Sequence, residues 1–168
     1  MLNLFLDMEI YFANFDSPVG NIEIIASKYA VHALYFTETR NVSSPQRPKI
    51  LSDCIQQLEE YFRGRQKIFS INTEQKGTDF QKLVWKSLEE IPYGKTVSYL
   101  EVAKKSGDEK SSRAVGNANG KNKIPIIIPC HRVIGANDSL TGYAGGLWRK
   151  QWLLDHERKF TYGIQKLF

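Results

Sequence analysis

At 168 residues and 42% apolar composition, the chain can bury a core as one large domain or two small ones. Its two cysteines, Cys54 and Cys130, are too few for a disulfide scaffold, and together with His32, His131 and His156 they show no zinc-ligand spacing, so neither a metal nor another cofactor is expected. The formal charge of +5 is unevenly spread: residues 1–94 hold 10 Lys/Arg against 12 Asp/Glu and residues 95–168 hold 13 against 6, which fits either a solvated basic surface or a polyanionic partner for the second half.

The first seven residues, Met1 to Asp7, are apolar but lack the basic start and cleavage site of a signal peptide. No stretch approaches the roughly 20 apolar residues of a membrane helix, so no membrane partner is expected. A thiol that must stay free favours a reducing compartment, hence a cytoplasmic protein, or a nuclear one in a eukaryote. Residues 8–37 read as three short strands, Glu9–Phe15, Asn21–Ser27 and Ala30–Phe36, with a turn at Ser17–Gly20, which suggests an antiparallel meander. His32 reads as a packed or surface strand residue. After a polar loop with Pro45 and Pro48, Ile50, Leu51, Cys54, Ile55, Leu58, Tyr61 and Phe62 recur at helical spacing, with Gly64 as the stop. Cys54 lies on the apolar face as core filler. Lys67–Ile71 is a possible short strand.

Thr78 and Gln81 match a capping box, and the helix they open aligns Phe80, Val84, Leu88 and Ile91. Pro92–Gly94 ends it. The domain boundary is set at 74/75, giving domains 1–74 and 75–168. Residues 95–121 read as a helix from Ser98 with Leu100 and Ala103 inward, a break at Ser106–Asp108, and a second helix from Ser111 carrying Arg113, Ala114, Gly116 and Ala118, a serine being available as its cap. Helix, glycine-containing turn and small-residue helix outline a helix-turn-helix. Residues 124–134 read as a buried strand, the apolar run Ile124–Ile128, and the hexapeptide Ile128–Val133 that closes it. A last helix aligns Leu147, Gln151, Leu154 and Arg158, with His156 at the surface.

The chemistry centres on Cys130-His131. Burial beside Ile128 and Pro129 opposes a thiolate, so a base or a cation must offset it. In a strand His131 would point away from Cys130, and could help only through a turn or a bridging water. Glu157 is an acid suited to orient that imidazole. From these residues alone, Cys-His-Glu catalysis and an inert core cysteine followed by a surface histidine both remain open.

Pro129–Val133 resembles the active-site signature of the O6-alkylguanine-DNA alkyltransferases, the methylated-DNA–protein-cysteine methyltransferase family. Tyr93–Tyr99, Ser112–Gly116, Asn122–Cys130, Thr141–Gly146 and Trp152–Glu157 resemble that family in order and spacing. The likeness is strong over residues 78–158 and weaker in Ser17–Asn21 and Leu58–Gly64. It implies an α/β (α+β) protein with a ribonuclease H-like N-terminal domain, a small antiparallel sheet with a helix, and a helical, winged-helix-like C-terminal DNA-binding domain. It implies single-turnover transfer of an alkyl group from O6-alkylguanine, and from O4-alkylthymine, in double-stranded DNA to Cys130, by a monomer. The roles it implies are acceptor for Cys130, proton acceptor through water for His131, and holder of His131 for Glu157. Asn122 would brace the thiol's turn, and Tyr99 would hydrogen-bond the guanine. Arg113 would fill the gap left by the flipped nucleotide, with Ala114 and Gly116 on the same groove-facing helix. Tyr143 would pack on the flipped base, and the Val133 backbone would recognise it. The sequence departs from some members in lacking N-terminal zinc ligands and in having Ala144 in place of serine. A Cys-His hydrolase and a lesion-binding protein without transfer activity are the rivals. The second lacks the reactive cysteine, which argues against it here.

Overall fold

The computed structural model describes residues 8–163, and its chain divides into two compact units, 1–75 and 76–168. In the first, strands β1 (Tyr11–Ser17), β2 (Gly20–Ala26) and β3 (Val31–Phe36) form an antiparallel sheet in the order β1-β2-β3. The register pairs Ala13 with Ile24 and Ile24 with Leu34, with an irregularity at Ile25/Ala26. Strand alternation sends Tyr11, Ala13, Phe15, Ile22 and Ile24 to one buried face. Helix α1 (Lys49–Phe62) contributes Leu51, Cys54, Leu58 and Tyr61 to the core. Its end is a Gly64 at φ +75°, a conformation that costs glycine little.

Lys67–Ile71 does not form the expected strand. The Gln57 side chain accepts from the Ser70 amide at 2.9 Å and from Gln66 at 3.0 Å, which gives this segment partners outside any ladder, and Ile68 is exposed. Thr73 makes an isolated parallel bridge to Val31 instead.

In the second unit, α2 (Asp79–Glu89) opens with the reciprocal Thr78/Gln81 capping box. Its Val84, Trp85 and Leu88 are buried, and Trp85 Nε1 donates to Ala118 O at 2.8 Å. Strand β4 (Val97–Ser98) leads directly into α3 (Tyr99–Lys105), capped by Ser98 and Glu101. A short 3₁₀ turn, Glu109–Ser111, runs into α4 (Ser112–Gly120). Two expectations fail here. Leu100 is exposed and Val102 is buried with Ala103. Ser111 makes no cap bond to α4: it closes the preceding 3₁₀ turn, and its hydroxyl donates back to Asp108 O at 2.6 Å.

Strand β5 (Val133–Ile134) pairs in parallel with β4, Val97 against Val133 and Ser98 against Ile134. Within 124–134 only these two residues are strand, and the strand expected over Ile124–Ile128 does not form. The apolar run before them is buried but turned, with Ile126 at φ +73°. Helix α5 (Leu147–Tyr162) also departs from its expected stripe: Lys150, Leu153, Leu154, His156 and Glu157 are buried, whereas Leu147 is exposed. The inward face follows the 150, 153, 154, 157 spacing of a helix, but two of its four positions are charged. His156 is buried, not superficial, and stacks on Trp152 at 4.9 Å. Among the described residues no helix is long and apolar enough to cross a membrane.

Candidate active site

The site grows from the loop after α4. Asn122 holds both ends of a tight turn: its Oδ1 accepts from the Ile124 amide at 3.0 Å and its Nδ2 donates to Ile128 O at 2.9 Å. Ile128 N closes the turn on Ile124 O at 2.9 Å. A β-branched residue at positive φ, as at Ile126, is strained and persists only when its surroundings over-determine it. The turn delivers Cys130 into a 3₁₀ segment, Cys130–Arg132, rather than a strand. His131 is therefore not forced to the face opposite Cys130. Asn119 on α4 donates to Cys130 O at 3.3 Å.

Cys130 is 5% exposed. Burial pushes its thiol up, while a hydrogen bond from Asn122, the Lys150 charge and the Cys130 and His131 backbone work the other way. His131 and Glu157 are fully buried, with His131 Nε2 2.7 Å from Glu157 Oε1. A carboxylate only accepts, so Nε2 carries the hydrogen and Nδ1 of the neutral ring keeps its lone pair. That Nδ1 is buried without a hydrogen-bond partner. Burial lowers the His131 pKa, against the pull of Glu157. Burial would raise Glu157, but His131 and Arg132 outweigh it and hold the carboxyl well below the usual range.

Tyr99, at the first turn of α3, brings its hydroxyl to 3.4 Å from Thr141 O. Lys150 Nζ donates to the same carbonyl at 2.9 Å and to Val133 O at 2.6 Å. Lys150 is fully buried, and burial lowers its pKa to about 8 against the pull of Cys130. Burial, then the nearby Cys130, push the Tyr143 hydroxyl well up. Cys130, His131, Glu157, Asn122 and Val133 thus share one polar cluster, with Tyr99 joined to it through Thr141 O. Arg113 and Ala114 lie exposed on α4, and Gly116 is half-buried beside the Tyr99 ring. Lys150 and the structural part played by Arg132 escaped the sequence reading. The one signal for Lys150 was its seven-residue spacing from Glu157.

A buried thiol beside a His–Glu pair, in a helical unit with a basic sequence, is the kind of arrangement that cysteine-dependent enzymes use. Residues 79–159 match the family described as "6-O-methylguanine DNA methyltransferase, DNA binding domain", and residues 10–75 match its "ribonuclease-like domain". The chain is similar to methylated-DNA–protein-cysteine methyltransferases. That of Methanosarcina acetivorans is 44% identical over 88% of this chain and 98% of that protein, and the constitutive protein of Bacillus subtilis 41% over 88% and 95%. The crystal structure of the Mycobacterium tuberculosis O6-methylguanine methyltransferase superposes with a TM-score of 0.83 at 40% identity, over 93% of this chain and 97% of that one. Another structure of the protein from that organism, in complex with DNA, gives 0.81 at 43% identity, over 89% and 93%. The chain belongs to the 6-O-methylguanine DNA methyltransferase family.

Proposed function

We propose that the protein repairs DNA directly, moving the alkyl group of O6-alkylguanine onto Cys130 once per chain. The observation that carries this reading is the His131–Glu157 pair at 2.7 Å, with an unpartnered Nδ1 on the residue next to the thiol. Sγ attacks the alkyl carbon as the carbon–O6 bond breaks. The thiol proton passes through a bridging water to His131 Nδ1, and Glu157 stabilises the resulting imidazolium. The bonding pair leaves on the guanine, whose developing negative charge the Tyr99 hydrogen bond stabilises, and a proton from solvent then gives neutral guanine. The product is a thioether, and no group in the cluster is suited to cleave one, so the chain is consumed.

Double-stranded DNA carrying alkylated bases is the proposed partner, met by a cytoplasmic monomer. Arg113, exposed on α4, suits the gap left by an extruded nucleotide, and the small Ala114 and Gly116 suit close approach to a groove. Tyr143 and the Val133 backbone would then face the flipped base. O4-alkylthymine, alkylated on the same kind of ring oxygen, is the second expected lesion. The test is the intact mass of the protein after incubation with an O6-methylguanine duplex. One added methyll group, mapped to Cys130 and lost in Cys130→Ser, is the expected result. Unchanged mass with tight lesion binding, or repeated turnover of an ester or amide, would overturn the proposal.

A further inference from the structure

The Glu157 carboxylate is saturated by four donors. Oε1 accepts from His131 Nε2 at 2.7 Å and Arg132 Nη2 at 2.9 Å, and Oε2 from Arg132 Nε at 2.9 Å and the Gly94 amide at 3.0 Å. Gly94 stands at φ +76°, and a Cβ there would collide with Thr161, so glycine is needed to aim that amide. Arg132 is 5% exposed, and its remaining Nη1 donates to Ile91 O at 2.7 Å, just beyond α2. A planar guanidinium thus makes a two-pronged pair with the same carboxylate that holds the histidine.

We propose that Arg132 is a positioning residue of the proton relay: by neutralising Glu157, it keeps the His131 imidazole uncharged until the thiol gives up its proton. With Arg132 present, Glu157 is already balanced, and a proton added to His131 would leave a net positive charge in a fully buried cluster. Buried unbalanced charge is costly. Without Arg132, an imidazolium facing Glu157 would be the balanced state, and His131 would be idle as a base. Lys150 on α5 adds to the effect on this ring, the thiolate of Cys130 would oppose it, and the nearby Tyr93 and Tyr143, which face Glu157, are both neutral phenols. The Arg132 guanidinium lies 5.6 Å from the Tyr93 ring centre. Burial, Arg132 and Lys150 all depress the His131 pKa, and Glu157 alone opposes them.

The inference rests on the proposed relay, so its test carries a readout independent of alkyl transfer. In Arg132→Met, the His131 ring titration followed by NMR should move up by about a unit. The acidic limb of single-turnover methyl transfer should move with it. Transfer would then fall about fivefold at the wild-type midpoint, approach tenfold well below it, and recover at alkaline pH. Arg132→Lys, which keeps the charge and loses the fork, should restore most of the midpoint. An unmoved His131 titration, or a loss of rate equal at every pH, overturns the proposal. If Arg132→Met does not fold, Arg132→Gln, which keeps a donor for the Glu157 carboxylate but no charge, reads the same effect. His131 should titrate higher there than in the wild type, and equal midpoints overturn the proposal. A wild-type chain that takes no methyl sinks the alkyl-transfer reading, while the His131 titration still judges this one.

Discussion

Cys54 and Cys130 are both buried, but in units built differently. Cys54 packs on the inner face of α1, and burial with nothing to oppose it pushes its thiol up to about 12. Cys130 suffers the same desolvation, but Asn122, the Lys150 charge and backbone groups counter it. The surroundings repeat this contrast. Among the described residues, Ser27 is the buried polar residue of the first unit, whereas the second buries Ser87, Asn119, Asn122, His131, Arg132, Lys150, His156 and Glu157. A buried thiol is ordinary packing material. It becomes usable where the fold also buries groups that can take its proton and stabilise the charge.

The contrast breaks most severely at Glu157. Glu157→Ala leaves Arg132 and His131 buried without their acceptor and should cost about 3–5 kcal/mol in urea unfolding. Methyl transfer should fall by about two orders of magnitude, the scale of lost acid–base catalysis. The pH dependence has a definite sign. Glu157 is held below its ordinary value, so the unfolded chain takes up its proton first, and its contribution is lost as pH falls below about 4.3. In Glu157→Ala that part of the acid loss should vanish.

Lys150→Met sharpens the comparison more gently. Two carbonyls, Val133 O and Thr141 O, lose their buried donor, at about 1–3 kcal/mol each where no replacement is found. Lys150 sits at about 8 in the folded chain and about 10.4 unfolded. Between those values the unfolded chain binds more protons, so wild-type stability relative to Lys150→Met should rise with pH. A difference that is flat or falls over that window, measured by urea midpoints, would count against a buried ammonium.

The smallest effect is expected at the other thiol. Cys54→Ala removes one sulfur from an apolar core and should cost about 1 kcal/mol, with methyl transfer within about twofold of wild type. In folded protein, iodoacetamide should leave Cys54 unmodified until the chain unfolds. Loss of transfer in Cys54→Ala without loss of stability would erase the distinction between the two cysteines.

Local patterns were legible where local physics decides. Apolar runs bounded by turn residues marked the three strands of the meander, helical spacing marked Leu51, Cys54 and Leu58, and Thr78 with Gln81 marked a helix start that formed as read. Reading failed where a distant partner overrode the local signal. Ile124–Ile128 looks like a strand, but Asn122 folds it into a turn. Leu147, Gln151, Leu154 and Arg158 look like a helix stripe because hydropathy sends Lys150 and Glu157 to water. The carbonyls of Val133 and Thr141 and the fork of Arg132 bring them inside instead.

For this protein, the order and spacing of its motifs around Pro129–Val133 determined the family, and the alternation and periodicity of its apolar residues determined most elements. Only the tertiary structure decided that His131 meets Glu157 at 2.7 Å, that Arg132 completes that carboxylate, and that Lys150 lies buried beside the thiol. The physical reason is that a charged residue's place depends on whether a partner awaits it. The partners of Lys150 and His131 lie from 9 to 26 residues away along the chain, beyond the reach of a helical or strand period.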